Sequence, residues 1–96
     1  MDIFLQHQAK EDLLDIWSYS FQQWGETQAD KYFQELNDGF QKIADNPHIG
    51  VSCDYIRLGY RQFQINKHLI FYKTQLNQIR IIRILHERMD YKRVLH

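Results

Sequence analysis

At 96 residues the chain has room for one domain, which can remove roughly 60–65% of its unfolded surface from water, and none for a second. Its 44% hydrophobic and 15% aromatic content excludes a disordered chain, and no stretch approaches the ~20 apolar residues of a membrane span. The formal net charge of zero conceals an asymmetry: residues 1–48 hold three Lys/Arg against nine Asp/Glu, residues 49–96 nine against three, so the molecule is expected to be a charge dipole.

Asp2 to Gln6 is a short apolar run that predicts an edge or central strand. Met1–Leu5 is too short for a secretory signal and lacks a basic lead, so an unprocessed, soluble chain is expected. From Ala9 the period changes to that of a helix, with Ala9, Leu13, Ile16, Trp17, Phe21 and Trp24 on one face and Lys10, Glu11, Asp12, Asp15, Ser18 and Gln22 opposite. Gly25 suits the residue that closes this helix, and Thr27 with Asp30 forms a weak capping box for the next. The second helix is patterned by Ala29, Tyr32, Phe33, Leu36, Phe40, Ile43 and Ala44, and Pro47 ends it at Asn46. Within it, Gly39 marks either a close approach by a neighbour or an exposed position.

After a loop from Pro47 to Cys53, the runs Tyr55–Leu58, Tyr60–Ile65, Leu69–Thr74 and Ile79–His86 read as strands separated by Gly59, Asn66-Lys67 and Asn77. Connections this short require antiparallel neighbours. The predicted fold is therefore α+β, ordered β-α-α-β-β-β, with a helical hairpin packed on one face of an antiparallel sheet. In the last strand Ile79, Ile81, Arg83 and Leu85 point one way and Arg80, Ile82, Ile84 and His86 the other, which predicts an interior strand that organises the core.

Seven cations, Arg57, Arg61, Lys67, Lys73, Arg80, Arg83 and Arg88, lie between Arg57 and Asp90 and are answered there only by Glu87 and Asp90. An anionic partner is the natural inference. Arg61, beside Phe63 and Ile65, and Arg83, beside Ile81 and Leu85, must find an acceptor or reach solvent: an ion pair with a helix carboxylate and a partner-binding role are both open. The cluster His86, Glu87, Arg88, Asp90, Tyr91, Lys92 and Arg93 follows the last strand. It has groups for RNA cleavage, in which a base removes a 2′-hydroxyl proton and Arg steadies the phosphorane, and it is equally compatible with a solvated C-terminal turn.

Other chemistries find less support. The histidines are scattered at positions 7, 48, 68, 86 and 96 without a metal-binding spacing, and no Gly-rich phosphate loop exists, so no metal or other cofactor is expected. Cys53 is the lone cysteine. It cannot form an internal disulfide, favours a cytoplasmic setting, and beside Asp54 reads as a structural thiol. The Trp17/Phe21/Trp24 and Tyr32/Phe33/Phe40 stripes are most simply core.

Six fragments carry a resemblance that spans nearly the whole chain in order: A-x-x-D-L-x-x-I (Ala9–Ile16), W-G-x-x-Q-A (Trp24–Ala29), N-P-x-x-G (Asn46–Gly50), I-R-L-G-Y-R-x-F (Ile56–Phe63), H-L-I-F-Y (His68–Tyr72) and I-I-R-I-L-H-E-R-M-D (Ile81–Asp90). Together they resemble the ParE toxins of the RelE/ParE superfamily. The resemblance implies a bacterial type II toxin that causes growth arrest and serves plasmid stabilisation, neutralised by a ParD-like antitoxin.

ParE-branch members are thought to poison DNA gyrase, and RelE-branch members to cut messenger RNA in the ribosome. The RelE-like alternative would use Arg61, Arg83, His86 and Tyr91, but His86 is followed by Glu87, a carboxylate where substrate phosphate would approach. The leading reading is non-enzymatic. Arg57, Arg61, Arg83, His86, Arg88, Met89 and Arg93 are expected to meet gyrase, with DNA reached through the gyrase complex, and Leu13, Trp17, Phe21 and Tyr32 to meet the antitoxin.

Overall fold

A computed structural model describes residues 1–95. It contains β1 (Asp2–Leu5), α1 (His7–Trp24), α2 (Glu26–Asp45), β2 (Val51–Ser52), β3 (Arg61–Ile65), β4 (His68–Gln75), β5 (Gln78–His86) and α3 (Tyr91–Val94). The two long helices are joined by Gly25 alone, which adopts φ +91° and donates its N–H to the Phe21 carbonyl. A side chain is strained at that φ, which is why glycine makes so short a joint. Because α2 starts at Glu26, Thr27 lies inside the helix and caps nothing. The far end agrees with the sequence: Asn46 is the C-cap and Pro47 follows it.

The sheet order is β1-β5-β4-β3-β2. The β3-β4-β5 meander is antiparallel as expected, whereas β1 lies parallel to β5, with Ile3 opposite Ile79 and Leu5 opposite Ile81. The helical hairpin carries the chain from β1 to β2 at the opposite edge, and the meander then returns through β3 and β4 to set β5 parallel beside β1. The interior position of β5 follows from its having β1 on one side and β4 on the other. Tyr55–Leu58, expected as a strand, is a run of turns, and the strand that pairs with β3 is the two-residue β2.

Both sheet faces are covered. The hairpin packs on the front, where Ala9, Leu13, Leu36, Phe40 and Ile43 meet Ile70, Tyr72, Ile79, Ile81 and Ile84. Gly39 is a close-approach site: an added Cβ would lie 2.9 Å from Ile65 Cγ1. On the back, the 53–60 loop and the C-cap of α3 contribute Cys53, Tyr60 and Leu95 to a second cluster with Leu69, Phe71, Ile82 and Leu85.

A bulge corrects the simple alternation expected of β5. Phe71 pairs with Arg83 while Tyr72 pairs with Ile81, so Ile82 is the extra residue. Before it, Ile79 and Ile81 face front; after it, Ile84 and His86 face front and Leu85 faces back. The expected set of Ile79, Ile81, Arg83 and Leu85 on one face is thereby divided.

Candidate functional site

Arg83 leaves the bulge toward α1. Its Nε donates to Asp12 Oδ2 at 2.7 Å and its Nη2 to Oδ1 at 2.9 Å, while Oδ2 also accepts the Ile84 N–H at 2.9 Å. The Asp12 hydrogen bond, opposed by burial, raises the Arg83 pKa. Of the two roles left open for this guanidinium, the structure fills the internal one. Arg61 is also engaged: its Nη1 donates to the Gly50 carbonyl at 2.7 Å. The neighbouring Tyr72 hydroxyl accepts from Gly50 N and donates to the Pro47 carbonyl, fastening the chain just beyond α2.

His86 stands at the other end of the meander, opposite His68, whereas Arg61 stands opposite Tyr72. Four residues of strand separate the two levels, roughly 13 Å at about 3.3 Å per residue. Tyr91 is on the back, its ring 5.3 Å from that of Phe71. Arg61, Arg83, His86 and Tyr91 are therefore spread over two faces and do not converge on one reacting atom.

The front face instead gathers Tyr32 and His86 around His68, a residue not singled out from the sequence. Tyr32 on α2 places its hydroxyl 2.6 Å from His68 Nδ1 and 3.2 Å from the Ile65 carbonyl, and the His68 ring meets His86 edge-on at 5.4 Å. Burial, then the neighbouring His86, pushes the His68 pKa down to about 4, and burial, then Glu35, pushes Tyr32 up to about 12. His86 Nδ1 accepts the Arg88 N–H at 3.1 Å. These residues floor a groove of about 1130 Å³ whose rim includes Tyr19, Trp24, Lys67 and Arg88. The detectable signal for His68 was its position after the Asn66-Lys67 turn, which sets it across from His86.

Along α1, Leu14, Trp17, Phe21 and Trp24 recur at helical spacing. Leu14, Phe21 and Trp24 are exposed, Trp17 stacks on Phe21 at 5.2 Å, and the Trp17 Nε1–H donates to Asp30. The Trp17/Phe21/Trp24 stripe is therefore largely surface rather than core. Leu13, assigned above to antitoxin contact, is a core residue. Tyr32 is half-buried and opens on the groove.

Arg57, Arg88, Met89 and Arg93 are exposed, and none of these three arginines has an ion-pair partner among the described residues. The 53–60 loop and the C-terminal tail form one surface, since Ile56 and Tyr91 share a cluster and Lys92 Nζ lies 5.5 Å from the Tyr55 ring centre. Exposed Tyr55, Leu58, Met89 and Val94 alternate with these cations. No group of three or more metal-ligating side chains occurs among the described residues, and none of their helices is long and apolar enough to cross a membrane.

Comparison with known proteins agrees with this architecture. Residues 3–91 match the family described as the ParE toxin of the type II toxin–antitoxin system parDE. The chain is 41% identical over 88 residues to a protein named Toxin ParE1 from Mycobacterium tuberculosis, covering 91% of this chain and 90% of the relative. It is also 41% identical over 86 residues to Toxin ParE1 of Caulobacter vibrioides, covering 90% and 88%. A solved structure described as the chromosomal ParDE TA system from P. aeruginosa superimposes with a TM-score of 0.78 at 18% identity, covering 90% of this chain and 95% of that one, which shows a shared fold. With the helical hairpin, the five-stranded sheet and these matches in place, the chain belongs to the ParE toxin family of type II toxin–antitoxin systems.

Proposed function

We propose that this chain arrests growth by docking on DNA gyrase, without enzymatic chemistry of its own, and that a ParD-like antitoxin neutralises it. One observation carries the choice of docking over cleavage: Arg61, Arg83, His86 and Tyr91 do not converge, because Asp12 holds Arg83 and the sheet separates His86 from Tyr91. General acid–base catalysis requires its groups within hydrogen-bond reach of one substrate. The tail surface instead offers exposed cations beside exposed apolar side chains, the composition of a protein interface.

Arg57, Arg88, Met89 and Arg93 are the proposed gyrase contacts, with Arg61, Arg83 and His86 supporting them from within the fold. The antitoxin is proposed to lay an amphipathic segment over Trp17, Phe21 and Tyr32, extended to Leu14, Tyr19 and Trp24, which the fold leaves exposed. Leu13 supports that surface from below.

Two assays with purified protein test this reading. Inhibition of gyrase supercoiling in a ribosome-free reaction, with ribosome-bound message left intact, is the expected result. Codon-specific cutting of message with unimpaired supercoiling would reverse it. Arg57→Ala with Arg93→Ala is expected to weaken gyrase inhibition at least tenfold while antitoxin binding and thermal stability hold.

A further inference from the structure

The back of the sheet carries two further cations beyond those of the 53–60 loop and the C-terminal tail. Lys73 on β4 and Arg80 on β5 are direct cross-strand partners. Like charges in that position repel and destabilise the ladder. Neither has an ion-pair partner among the described residues. Each lies instead over an aromatic ring, Arg80 Cζ 5.0 Å from the centre of Phe4 and Lys73 Nζ 6.0 Å from that of Tyr60. The buried Nε of Arg80 has no hydrogen-bond partner.

Tyr60 closes the 53–60 loop, donating its N–H to the Arg57 carbonyl, and Lys92 of α3 overlies Tyr55 in that same loop, with Arg93 beside it. Lys73 thus adjoins, through Tyr60, the loop that carries Arg57 and packs with the α3 region that carries Lys92 and Arg93. The carboxylate within the loop, Asp54, is occupied by the Gly59 N–H at 2.8 Å. The two long helices, which hold three Lys against eight Asp/Glu, cover the opposite face. The charge asymmetry along the sequence has become a front-to-back dipole.

We propose that this back face binds the phosphate backbone of duplex DNA directly. Two unpaired cations on neighbouring strands, with three more on the adjoining loop and α3, are met most readily by a partner whose charges repeat closely, and duplex DNA carries one per about 1.7 Å of axis. An acidic protein offers carboxylates singly, each needing its own alignment. Phosphate contact also offsets the Lys73–Arg80 repulsion. Arg57 and Arg93 belong also to the proposed gyrase contacts whereas Lys73 and Arg80 do not, so the two sheet cations distinguish this assignment, and it explains how a chain of zero net charge would be oriented toward an enzyme already holding DNA.

The test is fluorescence anisotropy of a labelled 20-base-pair duplex titrated with the full chain at salt concentrations from about 50 to 200 mM. Five phosphate contacts give a slope of log K against log[salt] of about −4.5, so affinity falls about 500-fold across that range. In Lys73→Gln/Arg80→Gln the slope relaxes to about −2.7 and the fall to about 40-fold, with a melting temperature equal to or above the parent's because repulsion is removed. Should the double variant not fold, Lys73→Gln alone is read for a change of about 0.9 in slope. Absence of duplex binding at the lowest salt, an unchanged slope in the folded variant, or tighter binding of poly-glutamate than of DNA would each overturn the proposal. Supercoiling assays run in parallel separate the two readings: duplex binding without gyrase inhibition retains this inference and removes the gyrase one, and inhibition without duplex binding does the reverse.

Discussion

Replacing Asp12 with Ala removes the partner of the most completely bonded ion pair among the described residues. The carboxylate accepts three hydrogen bonds, two from the Arg83 guanidinium and one from Ile84 N–H, and the two charged side chains are only 19% and 13% exposed. Breaking a fully buried pair costs about 3–5 kcal/mol because the surviving charge is stranded. The residual exposure of Arg83 moderates this to about 3 kcal/mol, and a domain of this size then loses about 12–24 °C in melting temperature.

Arg83→Met is expected to cost less, because Asp12 retains the Ile84 N–H. Asp12→Ala/Arg83→Met should recover part of the loss, giving a favourable coupling of about 2 kcal/mol between the positions. Urea unfolding followed by circular dichroism measures all four corners of the cycle. A loss below about 1 kcal/mol for Asp12→Ala, or strict additivity, would refute the structural role of the pair. The same reasoning predicts that Arg83→Ala lowers toxicity and antitoxin binding together, in proportion to the folded fraction lost.

The neutral His68 links stability to pH. Its folded pKa of about 4 lies below its ordinary 6.5, so the unfolded chain binds the extra proton between those values. The His68 contribution is complete above pH 6.5 and lost as pH falls toward 4. Solvent access discounts it to about 1–2 kcal/mol, read as a larger fall in urea midpoint between pH 7 and 4.5 for the parent than for His68→Gln. Adjacent leucines on α1 should behave oppositely: Leu13, 9% exposed, costs about 2–5 kcal/mol on truncation to Ala, whereas Leu14, 63% exposed, stays within about 0.5 kcal/mol and instead weakens antitoxin binding, as calorimetry of folding and of binding would show. Gly50→Ala should destabilise more than Gly39→Ala. Its Cβ meets the buried Tyr72 hydroxyl at 2.5 Å and the Gln62 backbone carbonyl at 2.7 Å, while that of Gly39 meets an Ile65 side chain and gains helix propensity; thermal melts of the two variants give the order.

Local chemistry made the hairpin and meander legible. Apolar residues at helical spacing, Gly25 between the helices and Pro47 after the second define the hairpin, and the Ile-rich run from Ile79 marks the interior strand. The parallel pairing of β1 with β5 was not legible, because Asp2–Leu5 carries no signal for which distant strand it joins. Tyr55–Leu58 has strand-forming residues yet turns, since Ile56 packs with the back cluster and the Cys53 carbonyl accepts the N–H groups of Ile56 and Arg57.

The candidate site divides the same way. Sequence alone determined the charge asymmetry, the cationic tail at Arg88 and Arg93, and the residue types from which an ion pair or a cleavage site is built. Only the tertiary structure decided among their uses. A one-residue bulge at Ile82 sends Arg83 to Asp12 and turns His86 to the front, while the packing of α3 fixes Tyr91 on the back. Such choices depend on register and on contacts between residues some seventy positions apart, and a period read along the chain contains neither.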